Sequence, residues 1–498
     1  MPTAILAVAG TIGAATLGFI GVTAAVTSTL AIVVGAALVI GTTALATKAM
    51  RAKAMRAQAA GAIQGTLVTK SGSSVSIPVV YGLRRIGGHR SFIGSNGEKN
   101  INLHVVESLC EGPVEACEAI YFNDELVATC STPGSTSNGD WTWLNHESGT
   151  SWDTVVDVEF YDGSQTSASA ALVSQGLSGW SSGCIGTNTA YVYLKMTFEQ
   201  EMFGSGLPGI TYLIKGKKVP AIGSAYNSTT AWSDEPAAVV YDYLVNPIYG
   251  KGIDHTLIDA ASFTNSAAYN NQSVPKSSSD GTLVPRFKTN AYIDTSDSML
   301  NNVESLLIPM RAGIITGDKY KIIQDRPTTP LAISLDDDTI VGSIAFMQAN
   351  KRTLMNAIRG TYPDKDGSFN YQENIAIIES PTLQGSSRDG IKLQKDIELQ
   401  SVSDSAQVER ICTEEINQSR QSGALEITVD ASHLNLTVGD VISFSNSTLG
   451  QTNKLYRIIK TMLRPDHTLE LNLREYDANV YWDNNTSIIL DNKNDTDH

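Results

Sequence analysis

The pattern of hydrophobic positions divides the 498-residue chain into an apolar leader and a longer body. No charged residue precedes Lys48, and the leader is dominated by Ala, Gly, Val and Thr. Because about 20 apolar residues cross a bilayer as a helix, Ile5–Ala25 and Leu30–Lys48 are each long enough to span it. Small residues also allow helices to pack closely, and no basic residue precedes the apolar run as in a secretory signal. Membrane insertion and burial inside an assembly both remain open for this helical segment.

From Gly65 the pattern changes to short β-branched runs separated by Gly, Ser and Pro, which is typical of strands and turns. Period-two alternation predicts strands in INLHVVESL (101–109), DTVVDVEFYDG (153–163), AYVYLKMTFEQ (190–200) and GITYLIKGKKV (209–219). Polar, glycine-rich loops separate them. We therefore predict a mainly β domain with long loops over residues 63–225.

A helical pattern follows in the stretch SDEPAAVVYDYLVNPIYGKGI (233–253). Ser233 or Asp234 is the expected N-cap, with Glu235 in the first turn. Asn246 precedes a proline, and the residue before proline disfavours the α conformation, so the helix should stop there.

Residues 286–325 predict a strand, a helix and a hairpin in that order. The strand is expected at Arg286–Ile293, and the helix should be capped at Thr295 or Ser296. One helix face is apolar and is expected in the core: Met299, Leu300, Val303, Leu306, Leu307 and Met310. The stretch GIITGDKYKIIQD (313–325) is the expected hairpin.

The last third of the chain repeats this order of elements. A hairpin with its turn at Pro363–Gly367 should precede a helix whose apolar positions are Ala406, Val408, Ile411, Cys412 and Ile416. Four alternating strands are predicted at 424–430, 438–445, 454–463 and 468–477, which suggests a small sheet or barrel. The repeated order hints at an internal duplication, although the sequence identity between the two units is too low to establish one.

The overall prediction is an α+β fold that is mainly β, with tandem β modules and packed helices. Its expected domains are an N-terminal helical segment, a β domain, a strand–helix–hairpin module, a β hairpin module, a helix with a small sheet, and a polar tail. Their boundaries are 1–62, 63–225, 226–335, 336–405, 406–483 and 484–498.

The charge balance adds a constraint on partners. Lys and Arg number 36 and Asp and Glu number 51, which gives a formal net charge of −15. Since affinity for nucleic acid comes mainly from clustered Lys and Arg, tight nucleic-acid binding is disfavoured. A surface past which DNA slides without binding is compatible with this charge.

The cysteines suggest core thiols in a reduced compartment. There are five, an odd number with loose spacing, and no C-x-x-C pair is present. Four of them fall within one stretch, which leaves a metal or cluster site as the alternative. The five are Cys110, Cys117, Cys130, Cys184 and Cys412.

Other polar motifs do not reach a catalytic pattern. Asp336–Asp338 could bind a divalent cation, but the motif fits a solvated turn better. DKDG at 364–367 fits a hairpin turn better than a calcium-binding loop. LRRIGGH at 83–89 could contact phosphate but fits a strand end followed by a turn. The seven histidines form no H-x-x-x-H pair. We predict no enzymatic activity and no catalytic, cofactor-binding or metal site.

Eight stretches, taken in order, resemble the tail-tip central hub proteins of long-tailed bacteriophages, also called tip attachment or host-specificity proteins. In the C-terminal module these are AQVERICTEEINQSRQS, LNLTVGDVISFS, YRIIKTML and TLELNLREYDANVYW. Earlier in the chain they are SIPVVYGLRRIGG, VESLCEGPVEACEAIYFNDE, AAVVYDYLVNPIYGKGI and NAYIDTSDSMLNNVESLLIPMRAGIITGDKYKIIQD. The resemblance covers residues 66–482.

The resemblance implies a structural virion protein at the tail tip, made in the host cytoplasm. It implies a homotrimer in which each subunit supplies two tube-like β modules, so that three chains form a pseudo-sixfold ring that caps the tail tube and gates DNA ejection. The implied partners are the distal tail protein and tail tube, the tape-measure protein, tail fibre or receptor-binding proteins, and viral DNA in transit.

The resemblance also bears on both ends of the chain. The leader is expected to pack as small-residue helices within the trimer or under the tape-measure protein, with contact to the host membrane during ejection as the alternative. Larger members carry C-terminal receptor-binding extensions, whereas here DNNTSIILDNKNDTDH follows Trp482, so a separate fibre or tip protein should recognise the receptor. The competing hypotheses are a membrane-anchored β-rich surface or secretion-system protein and, with no supporting motif, a glycan hydrolase.

Overall fold

The computed structural model describes residues 67–70, 75–130, 140–204, 206–276, 281–348, 355–367, 370–374, 393–421 and 423–481. The predicted N-terminal helical segment and the polar tail after residue 483 lie outside these residues. Among the helices that the structure describes, none is both long and apolar enough to cross a bilayer.

The first unit is a β sandwich. Its strands are β1 (Val79–Val80), β2 (Leu83–Gly87), β3 (His89–Asn96), β4 (Asn102–Glu111), β5 (Val114–Phe122), β6 (Glu125–Cys130), β7 (Trp141–Trp143), β8 (Val156–Tyr161), β9 (Thr189–Thr197), β10 (Ile210–Pro220) and β11 (Thr230–Trp232). Two antiparallel sheets, β11-β10-β5-β6-β7 with β2 also on β10, and β3-β4-β9-β8, enclose one apolar core. The four strands predicted from alternation in this region are present. Two short helices, α1 (Ala170–Ser174) and α2 (Gln200–Phe203), were not predicted.

The second unit is built around helices. It contains α3 (Pro236–Val245), α4 (Ala260–Asn270), α5 (Met299–Leu307), β12 (Ser273–Pro275), β13 (Leu283–Pro285), β14 (Tyr292–Ile293), β15 (Ala312–Thr316) and β16 (Tyr320–Gln324). Strands β15 and β16 form the predicted hairpin. Strand β14 pairs with β1 and so joins the second unit to the first.

The last part of the chain contributes to two different sheets. Its elements are β17 (Ser334–Leu335), β18 (Ala345–Gln348), β19 (Ala357–Asp364), β20 (Asn370–Asn374), β21 (Gln394–Glu398), α6 (Ser405–Arg420), β22 (Gly423–Val429), β23 (Val441–Asn446), β24 (Gln451–Leu463) and β25 (Leu469–Glu475). Strands β20-β19-β21 form one sheet, and β17-β23-β24-β25-β22-β18 form the C-terminal sheet. Short 3₁₀ turns lie at Glu98–Asn100, Trp152–Thr154, His255–Leu257, Ile308–Met310, Ala431–His433 and Ala478–Val480.

Three main apolar cores result. The sandwich core lies between the first two sheets, and the C-terminal sheet has a core of its own. The largest core gathers α3, α4, α5 and α6 with side chains of β19 and β21. The fold is therefore α+β and mainly β, as predicted, and the described strands form several small sheets without a closed barrel.

Three local predictions were wrong. Helix α3 is capped by Glu235, whose carboxylate accepts from the backbone N–H groups of Ala237 and Ala238, because a Glu side chain reaches where a shorter cap was expected. Helix α5 is capped by Ser298, so Met299 falls in the first turn and is half exposed rather than in the core. Leu300 is exposed beside it.

The third error concerns the strand predicted at Arg286–Ile293. Only Tyr292–Ile293 pairs as a strand, with β1. The residues before it bond to separate partners, since Arg286 and Thr289 donate backbone hydrogen bonds to Gln272 and Asp234.

Candidate functional site

The described residues hold no group of three or more His, Cys, Asp or Glu side chains placed to bind a metal. Cys110, Cys117 and Cys412 are buried free thiols, and Cys130 and Cys184 are partly buried. Burial raises the pKa of Cys110 to about 12, which disfavours the reactive thiolate.

The acidic motifs singled out in the sequence organise turns. Asp336 accepts from the backbone N–H groups of Asp338 and Thr339 at 3.2 and 3.1 Å. Asp337 accepts from Ser447 Oγ at 2.7 Å and so ties this turn to the loop after β23. In the DKDG stretch, β19 turns back into β20 with Asp364 paired to Asn370. The local geometry is that of structural turns.

The basic pair of LRRIGGH points into the protein. Arg84 and Arg85 lie on β2 and are 2% and 0% exposed. Arg85 Nε donates to Thr211 Oγ1 at 2.8 Å, and its guanidinium stacks over Tyr121 with 4.0 Å to the ring centroid. Arg84 Nη1 donates to the carbonyl oxygen of Gln400 at 3.2 Å. This pair holds internal contacts instead of presenting a phosphate-binding surface.

The densest chemistry lies where the helical core meets the C-terminal sheet. Six charged side chains, three of each sign, and one tyrosine form what we name the charge junction: Arg311, Asp325, Glu414, Glu415, Arg457, Arg474 and Tyr481. None of the six charged side chains is more than 9% exposed. Buried charges need paired partners, so this cluster must stay assembled for the fold to be stable.

Asp325, directly after β16, is the centre of the charge junction. Its Oδ1 accepts from Arg457 Nη1 at 2.8 Å and from the Tyr481 hydroxyl at 2.6 Å. Its Oδ2 accepts from Arg311 Nη2 at 3.1 Å, and Arg474 Nη2 lies 3.3 Å from both oxygens. One carboxylate therefore joins the β15–β16 hairpin to β24 and β25.

Arg311 connects the same hairpin to α6. It lies between the 3₁₀ turn and β15 with φ 51°, in the left-handed region. Its guanidinium pairs with Glu414 and contacts Glu415 Oε1 at 3.3 Å. The Asp325 backbone N–H donates to the Arg311 carbonyl at 2.9 Å, which closes the base of the hairpin.

Opposing influences set the pKa values at the charge junction. Burial alone would raise the pKa of Asp325, but the positive charges of Arg474, Arg311 and Arg457 outweigh it and hold that pKa well below its usual range. Burial would likewise lower the pKa of Arg311, but Glu414, Asp325 and Glu415 raise it. The charged forms are therefore the stable ones.

A second buried joint, the Asp242 joint, connects the sandwich to the helical core. Asp242 on α3 accepts from the hydroxyls of Tyr81 and Tyr249, both at 2.6 Å. Lys217 of β10 lies 5.2 Å from the Tyr249 ring centroid and donates to the Gly112 carbonyl. Burial raises the pKa of Asp242, although the hydrogen bonds from Tyr249 and Tyr81 and the Lys217 charge act in the opposite direction.

The backbones of these two units also approach closely. Gly82 has φ +66°, and a Cβ at this position would lie 2.2 Å from the Thr289 carbonyl oxygen, so only glycine fits. Leu83 N–H donates to Asn290 Oδ1 at 2.8 Å, and Asn290 N–H donates to the Ser401 carbonyl at 2.8 Å. Three distant parts of the chain therefore meet at one contact.

The sequence gives little signal for either joint. Asp325 and Arg474 are 149 residues apart, and Tyr81 and Asp242 are 161 apart. The available hint was polarity at expected core positions. On α6, Glu414 and Glu415 lie beside Ile411, Cys412 and Ile416, which had been predicted as apolar core positions and are buried.

Comparison with known proteins agrees with this architecture. A family described as "Putative phage tail protein" matches residues 303–461, the stretch that contains most of the charge junction. The chain is 24% identical over 196 residues to the tip attachment protein J of Escherichia phage SECphi27, which covers 36% of this chain and 16% of that protein. It is 21% identical over 471 residues to the baseplate hub protein pb3 of Escherichia phage T5, which covers 81% of this chain and 48% of that protein.

The chain thus spans less than half the length of these two relatives. A chain from the virion of a native gene transfer agent particle shares the fold, with a TM-score of 0.57 and 13% identity over 83% of this chain and 88% of that one. The resemblance found in the sequence is confirmed: the family model, the two relatives and the shared fold support a likeness to the tail-tip hub proteins of phages, whose named members are structural proteins of the phage tail tip or baseplate.

Proposed function

We propose that the chain is the central hub of a phage tail tip. Three copies form a pseudo-sixfold ring that caps the tail tube, anchors tip proteins and fibres, and gates DNA ejection. The proposed contacts are with the distal tail protein and tail tube, the tape-measure protein, and fibre or receptor-binding proteins.

The observation that carries this proposal is the pair of buried polar joints. The Asp242 joint holds the β1–β2 segment against α3, and the charge junction connects the helical core to the C-terminal sheet, each through groups that would be costly to separate. A ring subunit must keep its modules in fixed relative positions while its neighbours and the genome load it. Rigid connections of this kind serve such a role.

The charge of the chain supports a path for DNA. With a net charge of −15, the protein offers few clustered bases to hold phosphates. We propose that DNA passes the ring without binding tightly, so that ejection is not slowed by release of the genome from the hub.

Symmetry of the purified protein tests the hub. Mass photometry should give a species of three chains, and electron microscopy of that species should show threefold symmetry with six similar β-rich lobes. A protein that remains a single chain at all concentrations, and also when mixed with tail tubes, would overturn the proposal.

Two further assays address the other hypotheses. Carbonate extraction of expressing cells would leave a membrane-anchored protein in the pellet, whereas the hub should be released. A cell-wall degradation assay should show no activity, since we propose a purely structural role. The domain boundaries predicted above, including the leader 1–62, form part of the proposal.

A further inference from the structure

A shallow groove lies on the surface beside the charge junction. We name it the Tyr269 groove, and its volume is about 420 Å³. It is lined by Tyr269, Gln272, Arg326, Pro327, Thr328 and Thr329. Its floor is fixed, because Thr328 donates its backbone N–H to the Tyr476 hydroxyl at 2.8 Å and accepts from Arg457 at its own hydroxyl. The groove is therefore a preformed feature of the junction.

Two guanidinium groups flank the aromatic ring of the groove. The Arg286 guanidinium lies 4.4 Å from the Tyr269 ring centroid and the Arg326 guanidinium lies 5.7 Å from it. Arg286 is 3% exposed, and Arg410, which is 2% exposed, donates to its carbonyl at 2.9 Å. Two buried arginines, Arg286 and Arg410, and the half-buried Arg326 therefore lie close to the groove.

Arg326 is the member that can reach a ligand. It is half-buried, and its Nη1 donates to the Asn265 carbonyl at 2.9 Å. Within the described residues it makes no ion pair, so its remaining N–H groups have no carboxylate partner. A guanidinium fixed at one nitrogen and held 5.7 Å from an aromatic ring centroid is pre-organised to bind a carboxylate through its remaining N–H groups.

We propose that the Tyr269 groove binds a carboxylate side chain of an extended acidic segment of a partner protein. The carboxylate would pair with Arg326, and the groove rim at Thr329 would contact the peptide beside it. Charge complementarity carries this assignment. The proposed binding does not require the trimer, since all of the lining residues belong to one chain.

A peptide fits this site better than nucleic acid. A nucleic-acid track needs several Lys or Arg residues spaced along a backbone, together with stacking platforms. Here one partly exposed arginine faces a groove sized for one or two side chains, and the chain as a whole is acidic.

Thr329 offers a matched pair of variants. It is exposed, so Thr329→Glu adds a carboxylate at the groove rim without removing a core contact, and Thr329→Gln adds a neutral side chain of the same size. Fluorescence anisotropy would follow a short labelled peptide of alternating Glu and Gly with the full chain. A peptide with Gln in place of Glu and a short oligothymidylate would serve as further probes.

The proposal predicts that the Glu peptide binds and that added salt weakens it. Thr329→Glu and Arg326→Gln should each weaken binding roughly tenfold, as expected for loss of one charge-assisted pair. Thr329→Gln and the exposed control Lys99→Gln should leave binding unchanged.

Four results would overturn the proposal. The Glu peptide could fail to bind, or all variants could bind it equally. The oligonucleotide could bind more tightly and lose affinity in Arg326→Gln, which would identify phosphate as the ligand. Finally, the affinity for the Glu peptide could increase when Asp491, Asp495 and Asp497 are changed to Asn. This result would show that the chain's own acidic segment occupies the Tyr269 groove.

Discussion

Asp325 holds one negative charge among three arginines in a buried site, and its side chain is 3% exposed. Removing one partner from a buried ionic cluster leaves the others uncompensated and costs about 3–5 kcal/mol. Asp325→Asn should therefore lower the free energy of unfolding by that amount at pH 7, as measured by urea denaturation. The exposed Asp318→Asn on the β15–β16 turn is the control and should change stability little.

The same residue makes a prediction about pH. Because the pKa of Asp325 is held below its usual value of 3.8 in the folded state, its contribution to stability is present above 3.8 and is lost as the pH falls towards the folded value. The stability difference between the wild type and Asp325→Asn should shrink as the pH is lowered from 5 to 3. A difference that stays constant across this window would contradict the ionic account of the junction.

Asp242 should respond in the opposite sense, although it is also a buried aspartate. Its pKa is raised by burial, so its contribution is complete below 3.8 and declines as the pH rises through the folded pKa. Asn can accept the same two tyrosine hydrogen bonds without a charge. Asp242→Asn should therefore change the free energy of unfolding by less than about 1 kcal/mol at pH 7, as neutral replacement of a hydrogen-bonded group does. A loss as large as that of Asp325→Asn would refute this assignment.

At the scale of elements, the sequence pattern predicted the strands reliably where apolar and polar residues alternate over six or more positions. The strands β22, β23, β24 and β25 were predicted because apolar and polar residues alternate in their sequences, and in β22 the burial follows the same alternation. The pattern failed at Arg286–Ile293, where apolar residues belong to a loop whose backbone bonds are made by distant parts of the chain. Short helices such as α2 have too few residues to show a period.

Helix caps were predicted one to three residues too early, and this error can be tested. Ser298 Oγ accepts from the Asn301 backbone N–H at 3.2 Å, whereas Ser296 bonds to Asp294 in the turn before the helix. Ser298→Ala should lower the free energy of unfolding by about 1 kcal/mol, the usual cost of a lost cap. Ser296→Ala is the matched control and should cost less. A larger loss for Ser296→Ala than for Ser298→Ala in thermal denaturation would favour the cap expected from the sequence.

At the scale of the whole molecule, the joints could not be predicted because their members come from remote positions. Arg457 and Arg474 occupy strands whose alternation was read correctly, but nothing local indicates that these two side chains turn towards a carboxylate from another unit. The sequence pattern indicates which face of a strand is apolar, but tertiary packing decides which residues contact that face. The family resemblance supplied the order of the modules but not the contacts between them.

The charge junction should make the C-terminal sheet and the helical core unfold as one cooperative unit. Each has its own apolar core, so we expect the buried ion pairs to supply most of the coupling. In differential scanning calorimetry of the wild-type chain, these two parts should unfold in a single transition. In Asp325→Ala, a second transition should appear at lower temperature. Hydrogen exchange should locate that early transition in residues 423–475. Arg464→Ala, in the turn between β24 and β25 and paired with Glu470 outside the junction, is the control and should preserve the joint transition. If Asp325→Ala only shifts one undivided transition, then apolar packing rather than the ion pairs couples the two cores.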